Sequence, residues 1–483
     1  DYHHWGKPLY GYYLADDTWV LRRHMQLLTL ADIDFLALDT TNGVLYLDIC
    51  HKLFTVLEEL RQQGWKTPQV VFFTNTSSGE AVDALYNEFY KKGLYRSHWF
   101  IWEDKPLIIG RCEECGSAAK SFFTFRRPQW PNEPDEAGAF PWMDWRRPQK
   151  VYVNGAGEKE TVSVSVAQHP GLWFSDSAFY GLDSNWGRSY HPGQPDQAPS
   201  AVLYGRNFQE QWDVALKEDP SIVFVTGWNE WLGMRFPGSD PSRPIRFLDT
   251  CSMEYSRDIE PMQGGYADSY YMQLVANIRR FKGVQDTKIR LESKISWRKP
   301  FTQWQSVDCV YPHFLGNGQK REHAGFGGYF YETQGAANDI MMTKLACDKT
   351  YLHFYLEAVR PWSKTSLPML LLNTGGSYDK GWLGYDYVVN RVQANGPSLP
   401  LEHSPGGWYW QSVGNTLCRL QSNMLHLLIR RDYLRMTSIQ EPAELHFKWY
   451  HGPTLEGDPM AFYLDGDAAP SARFNYVVRY LNA

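Results

Sequence analysis

The segment Gly227-Trp-Asn-Glu-Trp231 carries the residue types best suited to chemistry in this sequence. It follows the apolar run Ser221-Ile-Val-Phe-Val-Thr226, whose β-branched residues and length predict a buried strand. Glu230 is therefore expected at the carboxyl end of that strand, between two indoles and beside the amide of Asn229. A carboxylate in this position can act as acid, base or nucleophile in the cleavage of a sugar. We predict that Glu230 is catalytic.

A glycosidase needs a second carboxylate, and three acids are candidates. Glu254 and Asp258 follow the predicted strand Pro244–Leu248, and Asp39 ends the predicted strand Asp34–Leu38. Arg257 lies among the acids of the first group, which also suits a purely structural salt-bridge network. A separation of roughly 5–5.5 Å between the two carboxyl groups would imply retention of configuration, and roughly 6.5–9.5 Å would imply inversion.

Further polar and aromatic residues at predicted strand ends and loops are candidates for binding the substrate. Tryptophan and tyrosine offer flat apolar faces for sugar rings, and the sequence has 20 Trp and 30 Tyr. Arginines on these loops would suit an acidic or sulfated glycan. The predicted substrate-binding residues are Trp228, Asn229, Trp231, His169, Asn75, Tyr13, Asp16, Trp102 and Arg235.

The elements that must position these residues follow an alternating pattern over the first 285 residues. Helical periodicity predicts helices between successive strands. Eight strands alternating with helices over this length predict a (β/α)₈ TIM barrel, with the site at the carboxyl ends of the strands. The predicted strands are Lys7–Leu14, Asp34–Leu38, Gln69–Thr74, Pro106–Ile109, Ser121–Phe125, Val162–Ala167, Ser221–Thr226 and Pro244–Leu248. The predicted helices are Thr18–Leu30, Leu45–Gln63, Gly79–Lys92, Asn207–Lys217 and Ala267–Phe281.

The pattern changes from about Asp286, where helical periodicity nearly disappears. Short apolar runs such as Tyr351–Leu356 and Met424–Ile429 lie between Gly, Pro and Asp turns, which is typical of a β-sandwich. We therefore predict two domains, an α/β barrel over 1–285 and an all-β sandwich over 286–483.

Two resemblances to known families add to this interpretation. Gly227-Trp-Asn-Glu-Trp231 resembles the Trp-Asn-Glu-Trp signature of the barrel enzymes around glycoside hydrolase family 99 and the related WbsX-like glycan proteins. The resemblance implies a carbohydrate-active barrel and would allow attack by a neighbouring hydroxyl of the substrate. Family 99 endo-α-mannosidases carry a second glutamate three residues on, where this chain has Gly233.

The C-terminal half resembles family 9-like carbohydrate-binding modules. The matching residues are Asn338-Asp-Ile340, Asp348–Tyr355, Trp382–Tyr387 and Phe447-Lys-Trp449. Such modules often hold structural calcium, which loop aspartates would bind. The candidates are Asp308, Asp339, Asp379 and Asp386, although turn formation is the default interpretation of each.

Composition and charge indicate which binding partners and which cellular location to expect. The 483 residues carry a formal net charge of −6 and no Lys/Arg run, which is unfavourable for nucleic-acid binding. No apolar run is long enough to predict a transmembrane segment. The chain begins at Asp1 without Met, which indicates a mature or trimmed chain and neither shows nor excludes export. For a protein that acts on glycans we expect a secreted, periplasmic or cell-surface location. Seven cysteines leave at least one without an intrachain partner, and Cys112 and Cys115 form a lone Cys-x-x-Cys.

The sequence as a whole predicts a glycoside hydrolase that cleaves a poly- or oligosaccharide with paired carboxylates. No His-Glu-x-x-His, nucleophile elbow or phosphate-binding loop occurs, so no catalytic metal or cofactor is expected. Two alternatives stay open. A non-catalytic glycan-binding protein would fit the missing acid at Gly233, and the WbsX-like resemblance would fit a glycosyltransferase.

Overall fold

The computed structural model describes residues 2–192, 198–284, 288–290, 295–394, 396–436 and 443–481. The chain divides into two compact units. The N-terminal unit comprises residues 1–61, 65–284 and 325–327, and the C-terminal unit comprises residues 62–64, 285–324 and 328–483.

The N-terminal unit is a mixed α/β structure. Its strands are Tyr2–His4 (β1), Phe35–Thr40 (β2), Gln69–Thr74 (β3), Ile101–Trp102 (β4), Lys105–Ile109 (β5), Thr124–Gln129 (β6), Ala139–Pro141 (β7), Val151–Val153 (β8), Lys159–Ser165 (β9), Ile222–Thr226 (β10), Leu232–Pro237 (β11) and Ile245–Phe247 (β12). Its helices are Thr18–Leu30 (α1), Leu47–Gln62 (α2), Ser78–Leu85 (α3), Ser117–Phe122 (α4), Phe174–Tyr180 (α5), Arg206–Glu218 (α6) and Ser269–Lys282 (α7). A π-helical turn at Tyr86–Tyr90 extends α3.

Parallel pairing dominates the two sheets that carry the predicted barrel strands. One sheet has the order β2-β3-β5-β6-β7, and the other places β10 beside β9, with β8 antiparallel at its far side. Residues two apart on a strand share a face. One face from each sheet therefore contributes to a shared apolar core made of Val71, Phe73, Leu107, Ile109, Phe140, Ile222 and Phe224.

Three of the predicted strands differ from the structure. Of Ser121–Phe125, Ser121 and Phe122 end helix α4, and the strand β6 begins only at Thr124. Lys7–Leu14 does not form a strand, because Pro8 lacks a backbone donor and the chain turns at Gly11, whose φ is 76°. The Gly11 amide donates to the Pro8 carbonyl at 2.9 Å. Within Pro244–Leu248, β12 does form, but it pairs antiparallel with β11 in the small sheet β1-β11-β12. The expectation that it neighbours β10 is therefore wrong.

The position beside the end of β10 is taken by a later extended segment. The backbone amides of Ile259 and Glu260 both donate to the Trp228 carbonyl, at 3.2 and 2.9 Å. Residues 257–260 thus lie against residues 228–230, and this contact assembles the site described below.

The C-terminal unit is built around one large sheet. Its strands are Lys288–Arg290 (β13), Val310–Pro312 (β14), Glu322–Ala324 (β15), Phe330–Glu332 (β16), Ile340–Cys347 (β17), Tyr351–Ala358 (β18), Met369–Thr374 (β19), Tyr387–Val389 (β20), Ser398–Gly406 (β21), Tyr409–Gln421 (β22), Met424–Arg430 (β23), Ala443–His451 (β24), Asp467–Ala469 (β25) and Tyr476–Leu481 (β26). A four-residue helix, Ala461–Leu464 (α8), precedes β25.

The strand order in that sheet is β13-β26-β24-β19-β20-β21-β22-β23-β18-β17-β14, with β25 on β24. All pairs except β13 with β26 are antiparallel. The sheet curls so that β14, at one end, approaches β26, next to the other end, where the Tyr311 hydroxyl donates to the Val477 carbonyl at 2.9 Å. The predicted all-β character of the C-terminal half is confirmed. Its described strands form one large curled sheet and the separate pair β15-β16, and not the two packed sheets that the sandwich prediction implies.

Candidate active site

Glu230 lies four residues beyond β10, and its side chain faces a cavity. Its backbone amide donates to Asp258 Oδ1 at 2.8 Å, which fixes the chain where the acid branches off. Gly227 lets the segment approach this closely, since a Cβ there would come within 3.0 Å of the same oxygen. The Glu230 side chain is 45% exposed, and that surface faces the cavity.

Arg257 connects Glu230 to a second carboxylate. The guanidinium is 4% exposed, and its Nη2 donates to Glu230 Oε2 at 3.0 Å while Nη1 donates to Asp249 Oδ1 at 3.0 Å. The rigid, planar guanidinium holds both carboxylates in one fixed arrangement. Asp249 lies two residues beyond β12 and in the same loop as Arg257, so the contact joins this loop to the one that carries Glu230 into the cavity wall.

His169 supports this arrangement from behind. Its Nδ1 lies 3.0 Å from the Leu172 carbonyl and must carry the proton, which leaves Nε2 as an acceptor for Arg257 Nη1 at 3.3 Å. Burial, reinforced by the charge of Arg257, lowers the pKa of His169 to about 4. The imidazole is therefore neutral at pH 7 and orients Arg257 without competing with it for the carboxylates.

Burial raises the pKa of Glu230 above its ordinary value. The largest cause is desolvation, because protein surrounds the carboxyl group wherever it does not face the cavity. Arg257 opposes the shift, while the negative charges of Asp249, Asp258 and Asp39 add to it. A glutamic acid that retains its proton to a higher pH than usual is suited to general-acid chemistry.

Asp258 is buried, and its contacts fix the backbone on which Glu230 lies. Burial raises the pKa of Asp258, and its Oδ2 has no hydrogen-bond partner among the described residues. The carbonyl of Asp258 accepts from Arg188 Nη2 at 2.6 Å, so a second buried arginine fixes this segment. The Asp258 side chain thus positions Glu230 by holding the backbone amide of Glu230.

A hydrogen-bonded group around the buried Glu260 supports the other side. Glu260 Oε2 accepts from the Tyr13 hydroxyl and from Trp231 Nε1, both at 2.6 Å, and Oε1 lies 2.8 Å from His24 Nε2. Asn229 Nδ2 donates to the Tyr13 hydroxyl at 3.1 Å. This network ties Asn229, directly before the catalytic candidate, to helix α1.

The cavity has a volume of about 690 Å³, which is in the usual range for small-molecule sites. It brings together many residues that the sequence analysis selected, and their neighbours Trp142 and Arg257 also line it. The predicted residues in its wall are Tyr13, Asp39, Trp102, Trp228, Asn229, Glu230 and Asp258.

Other predicted residues lie elsewhere. Trp231 is buried and stacks on Trp5 with ring centroids 4.4 Å apart, so its expected role as a sugar platform does not fit its position. His169 lies behind Arg257. The remaining four are bound in other loops or strands: Glu254 accepts from the Ser189 hydroxyl at 2.6 Å, Asp16 pairs with Lys52 at 2.8 Å, Asn75 accepts from Arg111 at 3.4 Å, and Arg235 belongs to β11.

The sequence analysis did not select several residues that the structure brings to the site. Asp249 carried the same signal as Asp39, since it directly follows a predicted strand, and it could have been chosen on that ground. Glu260 and His24 gave no such signal, because each looks like an ordinary polar residue until the fold buries it. Trp142 lies in a long insert whose path the sequence does not indicate.

Two of the four candidate calcium ligands have other partners. Asp339 accepts from the backbone amides of Gly318 and Gly316, and Asp386 accepts from the amide and hydroxyl of Thr374. Within the described part of the chain, no group of three or more His, Cys, Asp or Glu side chains could hold a metal ion, and Asp308 and Asp379 join none.

All seven cysteines lie in described ranges, and all are free thiols, including Cys112 and Cys115. No helix among the described residues combines the length and the apolar character needed to cross a membrane.

Comparison with known proteins gives no family assignment. No protein-family model matches the sequence, and no curated protein matches it.

Proposed function

We propose that the N-terminal unit is a glycoside hydrolase in which Glu230 is the general acid and Asp249 is the base or nucleophile. The observation that carries the proposal is that one buried guanidinium holds both Glu230, which lines the open cavity, and Asp249, whose side chain is 40% exposed. Two carboxyl groups in different environments are what glycoside cleavage requires.

The different environments of Glu230 and Asp249 indicate a separate role for each in the reaction. Hydrolysis breaks the bond between the anomeric carbon and the glycosidic oxygen and adds one water across it. Glu230, whose pKa is raised chiefly by desolvation, donates its proton to the departing oxygen. Asp249 either takes the proton of the attacking water or attacks the anomeric carbon itself, in which case water later releases the sugar with Glu230 as the base.

The aromatic wall of the cavity supports a sugar as substrate. Trp102, Trp142 and Trp228 line the cavity together with Tyr13. Indole faces pack against the C–H groups of a sugar ring, while nearby amides and carboxylates accept its hydroxyls. Asn229 and Asp39 supply such polar groups on the same wall.

The finer description of the fold belongs to the same proposal. We interpret the two largely parallel sheets with their shared core as a (β/α)₈-type barrel that is left open between β2 and β10, where two of its eight strands are not in place, in agreement with the family 99-like and WbsX-like resemblance of Gly227–Trp231. The curled antiparallel sheet of the C-terminal unit would be a sandwich-like, carbohydrate-binding module. A secreted or cell-surface enzyme acting on a glycan would fit both units.

Substitution of Glu230 tests the proposal. Glu230→Gln keeps the shape of the side chain but removes its exchangeable acid, so we expect turnover to fall by about 10²- to 10⁴-fold. Released reducing sugar, measured across an array of plant, microbial and host glycans, identifies the substrate for the assay. Circular dichroism checks that the variant is folded.

Glu254→Gln is the matched control, because Glu254 is bound to Ser189 outside the cavity and should retain near wild-type turnover. Equal activity of Glu230→Gln and the wild type would contradict the proposal. Tight glycan binding by calorimetry without any hydrolysis would instead favour the non-catalytic binding protein.

A further inference from the structure

The cavity continues well beyond the acids of the proposed active site. Its wall follows β10 from Glu230 past Val225 and Val223 to Ser221, at the amino end of the strand. At about 3.3 Å per residue, the strand alone gives this inner part a length of about 13 Å. The inner part is therefore a long extension rather than a recess for one ring.

The inner part lies between β2 and β10, where no further described strand pairs with either of them. Strands β2 and β10 each end their sheet among the described residues, and both line the cavity. Lys7–Leu14 and Pro244–Leu248, which the barrel prediction places between them, are respectively not a strand and paired elsewhere. Helices α1 and α7 close the remaining sides.

The lining of the inner part is apolar and mostly aliphatic, with the rings of Phe35, Trp212 and Phe281 among it. It includes Leu21 and Leu28 from α1, Leu36 from β2, Val223 from β10, and Leu274 and Ile278 from α7. On β2 the four side chains Phe35–Leu38 all remain partly exposed, as do Val223 and Val225 on β10. Apolar surface that is not covered by other side chains but lines a cavity is typical of a binding site for an apolar ligand.

Charged groups are concentrated at the two ends. Glu230, Asp39 and Arg257 stand at one end, and Lys282 stands at the other, where its Nζ donates to Asp34 Oδ1 at 2.8 Å. Sugar hydroxyls placed between these ends would lose their water and find aliphatic side chains instead, which is unfavourable. A hydrocarbon chain fits this distribution of polar and apolar surface.

We infer that the inner part of the cavity binds an unbranched alkyl or acyl chain, so that the substrate is a glycolipid whose sugar lies at Glu230 and whose chain lies between β2 and β10. This inference rests on the proposed function for the sugar end and on the aliphatic lining for the chain end. It names a substrate class different from a purely polar polysaccharide.

Direct binding of apolar probes to the full-length chain tests the chain site without any sugar. N-phenyl-1-naphthylamine should bind saturably with increased fluorescence, and 1-octanol and 1-decanol should displace it, 1-decanol more strongly. Val223→Phe and Leu36→Phe fill the inner part from opposite walls and should each weaken binding at least about tenfold, since a filled site excludes the chain. Val151→Phe is the matched control, because Val151 is a half-buried strand valine outside the cavity, and it should bind like the wild type.

A second measurement covers the case in which the phenylalanine variants do not fold. Leu28→Ala widens the inner part and should shift the preference towards longer alcohols. Absence of saturable binding in the wild type, or equal binding by the wild type and folded phenylalanine variants, would overturn the inference.

Activity separates this inference from the proposed function. On alkyl glycosides of the sugar that the wild type cleaves, kcat/KM should rise with chain length by up to about fourfold per methylene, and Val223→Phe should abolish the rise. Glu230→Gln should bind N-phenyl-1-naphthylamine normally. If Glu230→Gln were fully active, the proposed function would fail while the probe data still decided the chain site.

Discussion

At the scale of single residues, Arg257 determines what Glu230 can do. A buried guanidinium that serves two carboxylates offsets much of its own desolvation through hydrogen bonds at 3.0 Å to each. It also limits the rise in the pKa of Glu230 that burial causes. The balance between these two effects should set the pH range in which Glu230 keeps its proton.

The pH dependence of catalysis tests this balance. A general acid must be protonated, so activity should fall as the pH rises through the pKa of Glu230, and desolvation places that alkaline limb above the ordinary value for glutamate. Arg257→Met removes the opposing charge and should move the limb of kcat/KM to higher pH by at least about one unit, with lower turnover. Arg257→Lys, which keeps the charge but not the fork, should show a smaller shift.

Arg235→Met is the control for this experiment, since Arg235 lies on β11 outside the cavity, and its profile should match that of the wild type. A limb that moves to lower pH in Arg257→Met, or does not move, would show that Arg257 does not control the acid.

The residues of the site could be predicted only in part. Glu230 was predictable because it follows a strand that the sequence marks clearly. The two indoles beside it look equivalent in the sequence, yet Trp228 lines the cavity and Trp231 packs on Trp5, because the turn after β10 points them in different directions. The link from Glu230 to Asp249 depends on Arg257, and no spacing rule gives a contact between two separate loops.

At the scale of elements, local signals predicted well and long-range pairing did not. Thr18–Leu30 and Gln69–Thr74 have the predicted bounds, because amphipathic periodicity and β-branched residues act within one element. The partner of β12 is decided by side-chain packing across the unit, which the sequence of β12 does not contain. Strands β17, β21 and β22 were missed, since their mixed burial hides the alternation.

The start of α1 offers a test at this scale. Asp17 is buried, and its Oδ1 accepts from the backbone amides of Trp19 and Val20, as an N-cap residue does. Asp17→Ala should therefore lower the free energy of unfolding by about 1 kcal/mol, as followed by urea denaturation. Ser77→Ala is the matched control, because Ser77 precedes α3 without a capping hydrogen bond from its side chain and should change stability little. A loss of equal size in both variants would show that the cap of Asp17 contributes nothing specific.

At the scale of the whole molecule, noncovalent packing stabilises each of the two units separately. The C-terminal unit has a continuous apolar core that includes Trp304, Phe354, Phe447 and Trp449. The N-terminal unit has its own core between the parallel sheets. Each unit therefore has enough buried apolar surface to hold its sheets together, and none of the cysteines contributes a cross-link.

Thiol reactivity tests this picture. Six of the seven cysteines are buried, and burial raises the pKa of Cys50 to about 11 and that of Cys418 to about 12, so these thiols should stay unreactive in the folded protein. Cys112 is partly exposed and should be the one thiol that reacts quickly with a disulfide reagent under native conditions. Cys112→Ser should remove that rapid phase, and unfolding the wild type in urea without reductant should release seven reactive thiols. A count of five or fewer in urea would reveal a disulfide, and a rapid native phase that survives in Cys112→Ser would mean that a cysteine in one of the cores is accessible, so that packing there is looser than the structure indicates.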